Sequence, residues 1–431
     1  VSVDPRRVAI SVLVEIERGG WSDRCLQNAE QRIADAAARR RLHALVLRVL
    51  RWQLAIDRRL DPLIVRGLAR QGPAVRAALR LGAASVLFDA TPIGVAVNDA
   101  VAPARQAVGP QAARLVRAVM ARLASEQRQP LDPADSLPRW LVDRWITHYG
   151  ASRTQQLIES INQPPTTYVV VTDPTLARAE VLEQLSRADV NARACPRLDD
   201  GIEVLRGHPG GSPLFQAGRI VAIDRGAALV ARLARADDAQ PLVDLAAAPG
   251  GKALWLAARS RAPMLALECV TSRARLLRER LNRSPWGSRV AVLRADSRFP
   301  PLHAAQFGTV VLDAPCSGTG TLRRRPDRRT RVTLEQIQHA ARLQTQLLDA
   351  AVPLIAPGGS LVYAVCSLEP EEGIEQIQRL LRHHRRLQLV EPQRWLGDAA
   401  AGVVAGDPPV LLTWPDSPSS EGFVAARMRL I

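Results

Sequence analysis

Gly308-Thr-Val-Val-Leu-Asp-Ala-Pro-Cys-Ser-Gly-Thr-Gly320 is an apolar run of strand length that stops at an acid and then turns through proline, cysteine and glycine. Residues 308–313 lack polar alternation, which is the pattern of a strand buried on both faces in a parallel sheet. In an open α/β sheet, ligands bind outside the carboxyl ends of the strands. Cys316 therefore stands where chemistry is expected. A second run, Ser360-Leu-Val-Tyr-Ala-Val365, ends in the same way on Cys366 and Ser367. A third, Asp244-Leu-Ala-Ala-Ala-Pro-Gly-Gly-Lys252, leaves a strand, turns on glycine and opens a helix.

Outward from these runs, strands and helices alternate from about Ala236 to the end, as in a doubly wound sheet. Strands are expected at 241–247, 264–268, 290–293, 307–313, 359–366, 410–414 and 422–428, and helices at 251–259, 271–282 and 333–355. Upstream, Tyr168–Val171, Val190–Ala194 and Ile202–Leu205 read as strands and Leu176–Arg187 as a helix, a small α/β unit too short to carry a cofactor. Before it, Gln129-Pro-Leu-Asp-Pro133 reads as a linker, and Trp140–Tyr149 and Thr154–Ile161 as helices. Residues 1 to about 125 show helical spacing throughout, with Val8, Val12, Leu13 and Ile16 on one face and Leu42, Leu45, Val46, Val49 and Leu50 on another. Turns are expected at Gly72-Pro73 and Asp89-Ala-Thr-Pro92. The expected division is a helical domain over 1–128, linker helices with a small α/β domain over 129–235, and a Rossmann-like α/β domain over 236–431.

The 431 residues exceed one typical domain, and 47% hydrophobic content is enough to build several cores. A formal net charge of +16 points to a polyanionic partner, nucleic acid before anionic membrane. The five cysteines, 25, 195, 269, 316 and 366, form no C-x-x-C pair and no framework of even count. Structural zinc and a secreted disulfide scaffold are therefore not expected, and a reducing cytoplasm is. Cys25, Cys195 and Cys269 read as buried, and the histidines show no metal spacing. No run of 18 or more apolar residues and no signal-like start is present, and the chain opens on Val1. Lys252 is the one lysine among 58 basic side chains. An ammonium is a compact point charge that a guanidinium does not replace, which sets this lysine apart in a chain that otherwise writes arginine.

The 244–252 loop allows close backbone approach of a ligand at a helix N-terminus. Its glycine spacing is not that of a dinucleotide fingerprint, and it lacks the upstream glycine and the Ser/Thr of a phosphate-binding P-loop. Glu268 follows the next strand and is suited to accept from both ribose hydroxyls; Asp296 follows the third and is suited to accept from an adenine amine. Acids at three successive strand ends favour S-adenosylmethionine over NAD. Arg323–Arg329, directly after the Cys316 motif, are candidates to hold phosphates of a bound nucleotide.

Taken together, Ala247-Ala-Pro-Gly-Gly-Lys252, Asp313-Ala-Pro-Cys-Ser-Gly-Thr-Gly320 and Tyr363-Ala-Val-Cys-Ser367 resemble the RNA cytosine-C5 methyltransferases, and the helical N-terminal part resembles the NusB-type RNA-binding domain. The combination is similar to the bacterial 16S rRNA methyltransferases of the RsmB/Sun/Fmu type over nearly the whole chain. The resemblance implies that Ala246, Ala247, Ala248, Pro249, Gly250, Gly251, Lys252, Glu268, Asp296 and Asp313 bind S-adenosylmethionine. It further implies that Cys366 is the nucleophile, that Cys316 assists product release, and that the helical domain seats the RNA. The chemistry agrees: a thiolate adding to C6 turns C5 of cytosine into a carbon able to attack a methyl group. Asp313 is placed to hydrogen-bond the base edge, and the target base must be unstacked to be reached. A monomer is the expectation.

Several positions depart from the family pattern. Ala246 stands for a cysteine, Glu268 for an aspartate and Val365 for a threonine. Tyr168–Val171 replaces a strand with Arg and Asn, Ile223-Asp224 replaces Gln-Asp, and Glu372-Gly373 replaces Glu-Asn. These losses of polar positions motivate one rival, a C-methyltransferase acting on a non-rRNA substrate such as a peptide, nucleoside or natural product; a non-catalytic RNA-binding or assembly protein is a further rival, separated by whether the chain binds S-adenosylmethionine.

Overall fold

The computed structural model describes residues 4–89, 93–126, 130–236, 240–406, 409–415 and 420–431. Parts of two expected features, the turn at 89–92 and the linker with its border at 128, lie outside the described residues. The chain forms two compact units, 1–163 with 322–331, and 164–321 with 332–431.

The first unit is helical: Pro5–Glu17, Ser22–Glu30, Ala36–Leu60, Pro73–Phe88, Ile93–Val108 and Pro110–Ser125, then Arg139–Tyr149 and Ala151–Ile161. Proline opens three of these helices, where its missing N–H is no loss. Asp35 caps the longest by accepting from the amides of Ala37 and Ala38. Leu42, Val46, Val49 and Ile56 of that helix are fully buried at helical spacing, so one apolar face organises the bundle. The short segment Leu322–Arg331 belongs to this unit although it follows the Cys316 motif.

The second unit holds two sheets. The smaller comprises β1 (Thr167–Val171), β2 (Asn191–Ala194), β3 (Gly201–Arg206) and β4 (Ile220–Ala222), antiparallel in the order β2-β3-β1-β4. β1 is central, and Tyr168 to Val171 are all buried. The positions where the resemblance implies Arg and Asn are thus core positions here, and their apolar identity fits burial.

The larger sheet comprises β5 (Leu242–Asp244), β6 (Met264–Leu267), β7 (Val290–Leu293), β8 (Phe307–Asp313), β9 (Ile355–Val365), β10 (Leu387–Val390), β11 (Val404–Ala405), β12 (Val410–Thr413) and β13 (Phe423–Leu430). The order is β11-β12-β13-β9-β8-β5-β6-β7, with β10 pairing the far end of β13. β7, β6, β5, β8 and β9 run parallel, and β13 lies antiparallel against β9. Both faces are packed: in β9, Val362 and Ala364 join one core, and Leu361, Tyr363 and Val365 join the other. This alternation explains the unbroken apolar runs. The chain grows from β5 toward β7, then returns to place β8 on the other side of β5. That reversal makes a topological switch point, where a ligand crevice forms. The loops after β5 and β8 flank it, and they are the loops that the sequence singled out. Among the described residues no helix is long and apolar enough to cross a membrane.

Candidate active site

The two thiols meet. Cys316 and Cys366 leave the adjacent parallel strands β8 and β9, paired through Asp313 and Ala364, and their sulfurs lie 3.3 Å apart. Backbone bonds hold the loops: the amide of Ala314 donates to the carbonyl of Ala364 at 2.8 Å, and that of Gly320 to the carbonyl of Cys366 at 3.1 Å. Gly320 is required by space, because a Cβ there would sit 2.1 Å from the carbonyl oxygen of Gly422.

Asp313, at the end of β8, forms an ion pair with the ammonium of Lys252 at the start of the helix Gly251–Arg259. Burial pulls the Lys252 pKa down, but Asp313 beside it, joined by Asp244 and Cys366, holds it above its ordinary value. The one lysine of the chain thus sits as a cation between the strand-end acids and a thiol.

The loop between them is built for close approach. Gly250, at φ +103°, turns in the left-handed region that favours glycine, and Ala247 and Ala248 are buried. Ala246 donates its amide to Asp244, and the amide of Ala247 donates to the carbonyl of Leu267. Asp244 is fully buried, and its second carboxylate oxygen has no partner among the described residues. Burial pushes its pKa up to about 7, against the pull of Lys252.

Glu268, after β6, is buried; it accepts from the amide of Val270 and pairs with Arg273 at 3.2 Å. Asp296, after β7, is held by Arg298, whose hydrogen bonds lower its pKa. All the expected cofactor residues therefore surround the C-terminal ends of β5 to β8. An unpartnered buried carboxylate oxygen, two further strand-end acids and a glycine-lined helix start suit a nucleoside bearing hydroxyl and amine donors.

Two expectations are corrected. Cys269 is exposed, beside Glu268, where a buried cysteine was expected; Cys25 and Cys195 are buried as expected. Arg323 and Arg329 are fully buried within the helical unit, so they are not offered to phosphates. The Arg329 guanidinium donates to the carbonyls of Arg51 and Ile161, to Ser136 and to Asn162. Among the described residues, no group of three His, Cys, Asp or Glu side chains is poised to hold a metal. Sequence reading missed Glu372, which is fully buried and accepts hydrogen bonds from Ser317 and Ser367, the residues that follow the two cysteines. The signals were its closeness to the Cys366 motif and its match to the glutamate of the Glu-Asn pair that the resemblance implies there.

Five parallel strands, antiparallel strands beyond β9 and a helix opening at the switch point make a Rossmann-like α/β domain. The model of the 16S rRNA methyltransferase RsmB/F family matches residues 230–429. The NusB family model matches 3–125, and that of the RsmF/B-like ferredoxin-like domain 137–209. Ribosomal RNA small subunit methyltransferase B of Yersinia pestis bv. Antiqua (strain Angola) is 32% identical over 326 residues, 73% of this chain and 75% of that protein. The crystal structure of PH0851 superposes with a TM-score of 0.82 at 23% identity over 99% of both chains. NSun6 from Pyrococcus horikoshii, solved with SFG, superposes with a TM-score of 0.59 at 18% identity, over 68% of this chain and 98% of that one. These two structures share the fold. The chain belongs to the 16S rRNA methyltransferase RsmB/F family. It is an rRNA methyltransferase whose cofactor is S-adenosylmethionine.

Proposed function

We propose that this protein methylates C5 of a cytosine in 16S rRNA through a covalent adduct between Cys366 and C6 of the base. The observation that carries the reading is the meeting of two thiols, 3.3 Å apart, at the ends of adjacent strands beside the Lys252–Asp313 pair.

Ala246 to Lys252, Glu268, Asp296 and Asp313 would hold the cofactor, with Asp244 beneath them. Bound S-adenosylmethionine supplies an electrophilic methyl group on a sulfonium centre. The thiolate of Cys366 forms a bond to C6, and the displaced electron pair makes C5 nucleophilic. Once C5 is methylated, its proton goes to a base, the C6–sulfur bond breaks, and Cys316 assists that release. Asp313 orients the base edge while Lys252 balances its charge. The reading assigns RNA seating to the helical domain 1–128 and catalysis to 236–431, with 129–235 between them. It carries with it a monomer acting in the cytoplasm, the former checked by light scattering.

The test is incubation with unmodified 16S rRNA and labelled cofactor, followed by mapping of the label. The expected result is a methyl group at C5 of one cytosine. Cys366→Ala should abolish turnover, and Cys316→Ala should accumulate a covalent protein–RNA adduct on denaturing gels. Absence of label in any rRNA fragment or subunit precursor overturns the substrate. Full activity of Cys366→Ala overturns the nucleophile.

A further inference from the structure

Glu372 joins the two cysteine loops. Its carboxylate accepts from the amide of Ser317 at 2.7 Å and from the hydroxyls of Ser317 and Ser367. Gln344 completes the set at 3.3 Å and also donates to the carbonyl of Pro315, just before Cys316. The backbone is tied in as well, because the Tyr363 hydroxyl donates to the carbonyl of Glu372. All of these donors are neutral. A neutral amide of the same length would meet most of this geometry without the cost of burying a charge. The charge therefore calls for a function of its own.

The charges around the thiols are arranged unequally. The Lys252 ammonium pairs with Asp313, and the charges of Asp244 and Cys366 also hold its proton in place. Glu372 and Asp313 act on Cys316, and Glu369 acts on Glu372; the buried Tyr363 nearby is neutral, with the charge of Arg379 acting on it. The hydrogen bond to Cys366 and burial, followed by the charges of Cys366, Glu372 and Asp313, push the Cys316 thiol well up. Burial likewise raises the pKa of Glu372, against its serine donors.

We propose that Glu372 is a positioning residue for both thiols: its carboxylate locks the loop behind Cys316 to the loop behind Cys366, and its charge keeps the proton on Cys316 while Cys366 attacks. The roles of the two thiols rest on the proposed reaction, but the proton order does not require RNA to be measured.

The experiment is alkylation of the full-length protein with iodoacetamide across a pH series, with each cysteine quantified by mass spectrometry. In the unaltered protein Cys366 should react at lower pH than Cys316. In Glu372→Gln the Cys316 midpoint should fall by about one pH unit, and Glu372→Asp, which keeps the charge, should restore it. In the methyl-transfer assay Glu372→Gln should lower kcat about tenfold or more with KM for RNA unchanged. A Cys316 profile identical in folded Glu372→Gln overturns the charge role. Should that variant not fold, Ser317→Ala and Ser367→Ala each remove one tie, and normal kcat in both overturns the locking role. If the unaltered protein methylates no cytosine but the alkylation order shifts as stated, the reaction assignment fails and the action of Glu372 on the thiols stands.

Discussion

Lys252 is the residue where sequence and structure agree most closely. In a chain that otherwise uses arginine for every basic side chain, its ammonium is buried against Asp313 with Asp244 and Cys366 near it. A guanidinium is larger, planar and demands bidentate partners, so Lys252→Arg should lose turnover about as fully as Lys252→Met, on the order of a hundredfold in kcat. A labelled methyl-transfer assay checks this, and wild-type activity in Lys252→Arg would refute the point-charge role. Asp244 leads to a pH dependence. Its pKa, near 3.8 in the unfolded chain, rises to about 7 on burial. The folded state then binds the extra proton between these values, so the contribution to stability is full below about 3.8 and is lost as pH climbs through about 7. Urea unfolding of the cofactor-free protein between pH 4 and 7 should show that decline, and Asp244→Asn should flatten it. The cysteines and the glycine loop were legible because each ends an apolar run with a distinct local pattern. Glu372 was not, because its partners Ser317 and Gln344 come from distant stretches that only the sheet brings together.

At the scale of elements, the long strands were readable where burial on both faces left no alternation, as in β8 and β9. β4, β10 and β11 have four residues or fewer, too short for any period to register, and they exist because longer strands offer them an edge. Arg323 and Arg329, in the arginine run after Cys316, were misread for a different reason. Composition records their charge but not the acceptors that wait for them. Arg329 satisfies five oxygens in the helical unit, and Arg331 donates to the carbonyls of Ile16 and Gly20. Burial, with Arg51 and Arg323 close by, holds the pKa of Arg329 well below its usual value. Arg329→Met keeps much of the volume but strands buried acceptors, each costing about 1–3 kcal/mol. The variant should lower stability by about 3 kcal/mol in guanidinium denaturation, within the range for breaking a buried network. An unchanged midpoint would show the segment to be dispensable for the helical unit. Phosphate contacts must then be sought at other arginines.

For the whole molecule, the net charge of +16 is the property on which the substrate question turns. The polar positions missing from β1 first suggested that the enzyme had left RNA for another substrate. Their burial in the small sheet weakens that motive, since Val169 and Val171 face a core, not a ligand, and leaves it resting on Ile223 and Gly373. What separates the readings is the response to salt. A basic protein that neutralises Z phosphates on single-stranded RNA loses affinity with a log–log slope of about −0.7Z as counterions are released. Six to ten such contacts correspond to a loss of about 10³ to 10⁵ between 50 and 200 mM salt on a duplex, and somewhat less on single strands. Binding of a 16S rRNA fragment by Cys366→Ala, which keeps every basic side chain but should form no adduct, ought to follow such a line. Affinity for S-adenosylmethionine should stay nearly flat over the same range, because the proposed cofactor residues are strand-end acids and backbone groups rather than an array of arginines. A flat response for RNA as well would mean that the positive surface does not meet a polyanion during catalysis. In that case a small-molecule or peptide acceptor would become the better account of the same two thiols.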